Sequence, residues 1–219
     1  MATKTKAGVR TGTGKGSRRP PVKVKRAANV PVLPFVVGAI LLLFAVGLII
    51  YFLANNKSTA PQNAGGVPCD SLEHTQVHYH AALQIVYQGN VLPIPANVGI
   101  SGDPTAPTCF YWLHMHAESP GVIHIESPKG RTFTLGDFFK VWQTSKGTPE
   151  PLDATHVSSF ILTPDQTLVV YVDLGAGAGP QLYTGDPAAI VLKAHEVITL
   201  EIGPPTVNPP PKFTFQSGL

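Results

Sequence analysis

Residues 77–87 read VHYHAALQIVY. Two histidines one residue apart open the stretch, and a run rich in branched and aromatic residues closes it. That composition over this length predicts a β-strand. In a strand, side chains alternate between faces, so His78 and His80 share one face while Tyr79 lies on the other. The same spacing returns twice further on. His114-Met115-His116 closes the strand expected over 108–115 (TCFYWLHM), and His124-Ile125-Glu126 closes the one expected over 121–126 (GVIHIE). In each trio the middle residue is apolar or aromatic, as required of strands with a polar face backed by a core.

Around these strands the pattern stays β. Gln88-Gly89-Asn90 is a turn, after which 91–94 returns as a hairpin partner, and further strands are expected over 159–162, 167–172, 181–183 and 196–202. One helix interrupts them at 134–142. Thr134 is placed to cap it, and Leu135, Phe138, Phe139 and Trp142 fall at helical spacing. The GAGAG run at 175–179 lacks a strand-to-helix setting and is read as a loop rather than a nucleotide site. The expected fold class is mainly β (α+β): a compact antiparallel or mixed sheet domain with one short helix, spanning 69–203 and preceded by a transmembrane helix.

That transmembrane helix is expected over 31–54. From Phe35 to Ala54 the chain carries no charge for 20 residues, enough at ~1.5 Å per residue to cross ~30 Å of hydrocarbon. A cleaved signal sequence would have a shorter apolar run, of about 7–15 residues, followed by an A-x-A site, and neither is found, so an uncleaved anchor is expected. Nine Lys and Arg and no acid occupy residues 1–30, whereas all thirteen acids lie after residue 69 against seven later Lys and Arg. The net charge of +3 therefore belongs to the tail. The basic flank directs residues 1–30 to the cytoplasm and the C-terminal domain to the extracytoplasmic side of a single-pass plasma-membrane protein. The tail lacks apolar surface and is expected to be disordered. Its partners are the bilayer and its anionic headgroups. With no interleaved aromatics, nucleic acid is not expected, and no protein partner is specified. Residues 55–68 read as a polar linker, and 204–219 as a Pro-rich tail, extended or without fixed structure.

The histidine spacing carries the chemistry. Neighbouring strands lie ~4.8 Å apart, so pairs on one face can converge on an ion at ~2.0–2.1 Å from each nitrogen. The expected metal ligands are His78, His80, His114, His116, His124 and Glu126, with Glu126 either ligating or orienting a ring from behind. His74 and Glu118 could join from the periphery, while the unpaired His156 and His195 read as structural or surface residues. Imidazoles with carboxylate support suit copper or zinc, and less often iron, nickel or manganese. Met115 is the single methionine of the domain, which argues against a thioether copper(I) site. The two cysteines, Cys69 and Cys109, would pair in an oxidising space and tie together the segments that carry the first two His pairs. The HExxH, PCxxC and GxSxG signatures are absent.

The segments HYHAALQIVYQG, IPANVGI, LHMHAESPGVIHIESP and FTLGDFFKVW together resemble a family of uncharacterised exported or membrane-anchored bacterial and archaeal proteins. In that family an HxH strand precedes LHTHD-like and GIIHIES-like motifs. The resemblance spans roughly 74–145 and implies the same six ligands. Met115 and Ala117 stand where the family pattern has Thr and Asp. No activity follows from it. Three functions are compatible with the sequence: a metal-binding protein in copper or zinc handling, a metalloenzyme with an open coordination position, and a structural domain stapled by its metal.

Overall fold

The structure, a computed structural model, describes residues 31–55, 63–103, 105–175 and 177–219. The basic segment 1–30 and residues 56–62, half of the stretch read as a linker, lie outside them. The chain divides into two compact units, 1–57 and 58–219. In the first, helix α1 (Val32–Asn55) includes the run Leu33–Phe52, which is long and apolar enough to cross a membrane and has none of its surface buried against protein. An apolar surface of this extent, exposed on all sides, suits a lipid solvent or a signal sequence and not a protein core.

In the second unit the strands, in chain order, are β1 (Asn63–Ala64), β2 (Val67–Asp70), β3 (Val77–Tyr87), β4 (Asn90–Leu92), β5 (Ile100–Asp103), β6 (Ala106–Tyr111), β7 (Leu113–His114) and β8 (Val122–Ser127). Helix α2 (Leu135–Lys146) follows, and then β9 (His156–Val157), β10 (Phe160–Ile161), β11 (Thr167–Asp173), β12 (Gln181–Tyr183) and β13 (Val197–Gly203). The main sheet has the order β12-β11-β13-β3-β8-β7, with β4 paired to the far half of β3. All its pairings are antiparallel except β13 with β3, which is parallel. A smaller antiparallel sheet runs β1-β2-β6-β5, and β9 and β10 form a hairpin. The fold is thus mainly β with a short helix.

Helix α2 starts where its cap requires. The Thr134 hydroxyl accepts from the Asp137 N–H and the Asp137 carboxylate accepts from the Thr134 N–H, a reciprocal capping box, and Gly147 closes the other end in the left-handed region. Its apolar stripe (Leu135, Phe138, Phe139, Val141, Trp142) is buried. It shares one core with Leu113, Met115, Ile123 and Ile125, the inward residues of β7, β8 and their flanks.

Two expectations about the strands are revised. The strand foreseen over 108–115 is two strands in different sheets, broken at Trp112. There the indole N–H donates to Asp70 Oδ2 at 2.7 Å and the backbone N–H to the Pro68 carbonyl, so the chain is held to the small sheet just before it joins the large one. The compact unit is also wider than 69–203. Strand β1 and the start of β2 lie in the stretch read as a linker. Residues 204–219 pack on the domain: Pro210 is buried, Phe215 meets His195 edge-on at 5.5 Å, and the Gln216 amide donates to the Glu118 carbonyl at 2.9 Å. Two phenylalanines, Phe213 and Phe215, give this Pro-rich segment the apolar area that its composition otherwise lacks.

Candidate metal centre

Strand β8 lies between β3 and β7 and sets the register of the histidines. His78 is directly opposite Glu126, and His80 opposite His124, across the β3–β8 pair. On the other side His114 is opposite His124. Directly opposed residues have Cβ atoms ~4.5–5.5 Å apart on one face, so all three i, i+2 pairs project from the same side of the sheet. The intervening Tyr79, Met115 and Ile125 belong to or pack on the core beneath.

The donor atoms converge. His78 Nε2 and His80 Nε2 are 3.0 Å apart, and His114 Nε2 and His116 Nε2 are 3.1 Å apart. Glu126 Oε1 is 3.2 Å from His78 Nε2, 3.4 Å from His124 Nδ1 and 4.0 Å from His114 Nε2. Metal–nitrogen bonds of ~2.0–2.1 Å place neighbouring ligand atoms of one ion ~2.9–3.4 Å apart, between the square and tetrahedral limits. Among the described residues, three groups of ligand atoms meet the geometric requirement of a metal site: His78, His80 and His124; His114, His116 and His124; and Glu73, His114 and Glu126.

Glu73 was not foreseen. It arrives on the loop that follows β2, with Oε1 3.0 Å from His116 Nε2 and 3.3 Å from His114 Nε2. Its one sequence signal is position, four residues after Cys69 and beside His74, which no periodicity marks. The peripheral candidates lie elsewhere. His74 bonds to Asp70 at 2.7 Å, His156 faces Asp153, and His195 packs on Phe215. The Glu118 carboxylate belongs to none of the three groups.

Burial grades the site from floor to rim. His80, His114, His124 and Glu126 are buried, whereas the side chains of His78, His116 and Glu73 keep 41%, 28% and 38% of their surface exposed. At the floor, His114 Nδ1 lies 2.8 Å from the Tyr111 carbonyl. Only a protonated Nδ1 can donate there, so the Nε2 lone pair faces the site. Gly99 makes room for this strand: a Cβ there would come within 2.4 Å of the Leu113 carbonyl. His124 Nδ1 is buried without a well-formed hydrogen bond, its nearest polar neighbour being Glu126 Oε1 at 3.4 Å, while His124 Nε2 lies 3.3 Å from the Ser119 hydroxyl. An orphaned buried ring nitrogen is costly unless a cation or a water takes its lone pair.

Burial and neighbouring groups shift four of the donors, His80, His116, Glu73 and Glu126. Burial, reinforced by His124 and His78, holds the pKa of His80 down at about 4. Burial also lowers that of His116, with His114 and His124 adding to it. Both shifts favour the neutral ring. The hydrogen bond with His114 lowers Glu73. Burial works to raise Glu126, but the imidazoles of His124, His114 and His78 outweigh it and the net direction is downward. Neutral imidazoles and ionised carboxylates are the ligating forms. Cys69 and Cys109 form a disulfide between β2 and β6, with Cα atoms 5.5 Å apart, and so supply no thiolate.

Comparison with protein-family models, with curated proteins and with solved structures gives no match.

Proposed function

We propose that this is a membrane-anchored extracytoplasmic protein whose β domain binds a transition metal, copper or zinc, through its paired histidines, in metal handling at the outer face of the plasma membrane. The observation that carries the reading is the convergence of imidazole and carboxylate donors from three adjacent strands at ligand-to-ligand spacing, with the orphaned His124 Nδ1 among them. The apolar helix, together with the wholly N-terminal basic flank, supports an anchor with its tail in the cytoplasm and against anionic headgroups. Nitrogen-rich donors with carboxylate support and no thiolate favour zinc or copper(II).

A second reading, a metalloenzyme, rests on the exposed rim. His78 and His116 leave the donor face open to solvent, and a solvent-facing coordination position is where a metal-bound water does chemistry.

The test uses the full-length protein, purified in detergent, stripped with a chelator and re-supplied with Zn²⁺ or Cu²⁺. Metal at about 100 times its Kd stabilises the folded state by about 2.7 kcal/mol, a rise of about 5–11 °C in melting temperature for a domain of this size. A chain that retains no metal after dialysis and melts at one temperature throughout refutes the metal reading. Membrane pellets that release the protein at alkaline pH refute the anchor.

A further inference from the structure

Resting on that metal reading, we propose that the centre holds two ions: one on His78 and His80, the other on His114, His116 and Glu73, with Glu126 and His124 of the central strand serving between them.

The supply of donors is the first argument. Five imidazoles and two carboxylates stand on one face, whereas a zinc ion takes four ligands. The surplus is arranged rather than scattered. Strands β3 and β7 flank β8 and so lie two strand spacings apart, roughly 10 Å. Strand β3 carries one HxH pair, and β7 with the segment just after it carries the other; in each the Nε2 atoms are spaced like two ligands of a single ion, 3.0 Å and 3.1 Å. A single ion with ~2.1 Å bonds reaches donors no more than ~4.2 Å apart, which suits either pair with its neighbours.

The central strand supplies what joins them. Glu126 Oε1 lies 3.2 Å from His78 Nε2 on one side and 4.0 Å from His114 Nε2 on the other, the position of a bridging carboxylate. His124 meets the ring of His80 at 4.5 Å and that of His116 at 4.6 Å between centroids, and it offers a ring nitrogen to the donor group of either pair. Glu73 is near the second pair, which balances the charge of the second ion. Two divalent cations carry four positive charges and the two carboxylates offset half. A net positive, solvent-facing pocket remains that would take hydroxide or an oxyanion between the ions, the arrangement by which paired metals activate water.

The metal-to-chain ratio of the full-length protein, loaded with Cu²⁺ or Zn²⁺ and dialysed, tests this directly. Two equivalents are expected. The His78→Ala/His80→Ala and His114→Ala/His116→Ala variants are each expected to keep one. Copper-loaded wild type should show less paramagnetic resonance intensity than its copper content, because adjacent spins couple, and either double variant should regain full intensity per copper. One equivalent in wild type, lost in both double variants, overturns the two-ion centre and leaves the metal reading standing. No metal at all overturns both. The wild-type ratio requires no variant, so it decides the matter even where a double variant fails to fold.

Discussion

Removing the Cys69–Cys109 disulfide, which ties β2 to β6 within the small sheet, tests how that sheet supports the histidine face. The bridge spans a sequence separation of 40. The loop-closure entropy that it removes from the unfolded chain is about 13 cal/mol/K for a loop of that length, or about 4 kcal/mol at 25 °C. The unit from Ser58 to Leu219 belongs to a size class in which 1 kcal/mol moves the melting temperature by about 2–4 °C. Cys69→Ser/Cys109→Ser is therefore expected to lower the melting temperature by about 8–16 °C, and reduction of wild type by as much. The structure adds a second consequence. Cys69 is followed by Asp70, which anchors Trp112 and His74, and the same loop carries Glu73 to His114 and His116. Loosening β2 should therefore weaken metal binding roughly tenfold, in keeping with the effect of losing groups that hold ligands in place. The assays are thermal unfolding by circular dichroism with and without reductant, and metal titration of the double variant. Reduced and oxidised protein melting within about 2 °C of each other would show that the bridge closes no costly loop. Unchanged metal affinity would show that Glu73 is positioned without it.

Two further outcomes follow from the core. Glu201 is buried on β13 with Oε1 unpartnered, and burial raises its pKa above the ordinary 4.5. Its stabilising contribution is thus complete below pH 4.5 and lost as pH rises through the higher folded-state value. Glu201→Gln should be about 1–3 kcal/mol more stable than wild type at pH 8, and level with it at pH 4, in urea unfolding; equal stability at both values would contradict the burial argument. Phe138 is fully buried on α2, and Phe138→Ala should cost about 3–5 kcal/mol in the same assay, with a loss under about 1 kcal/mol showing that α2 does not seal the core.

Much of this protein is written in short-range pattern. The uncharged run from Leu33 to Phe52 specifies a helix that suits lipid, because no soluble core would leave it bare. The i, i+2 spacing at His78, His114 and His124 places each pair on one face of a strand whatever the strand's neighbours are. Thr134 and Asp137 start α2 through bonds within four residues. These features depend on the backbone period and on local bonds, and both can be read along the chain.

Other features required the folded chain. That β8 lies between β3 and β7, so that three pairs meet instead of facing different neighbours, is a matter of strand order, which no local pattern encodes. Glu73 reaches the histidines only because β2 is tied to β6 and its loop then crosses toward β7. The break at Trp112 and the packing of Phe215 on His195 are likewise contacts between distant segments. The sequence alone determined which histidines pair and which way each pair faces, because alternation is a property of the strand, but it did not mark Glu73. Tertiary structure decided which of them stand close enough to hold one ion, because that depends on distances between strands, and those are set by pairing and by the core beneath.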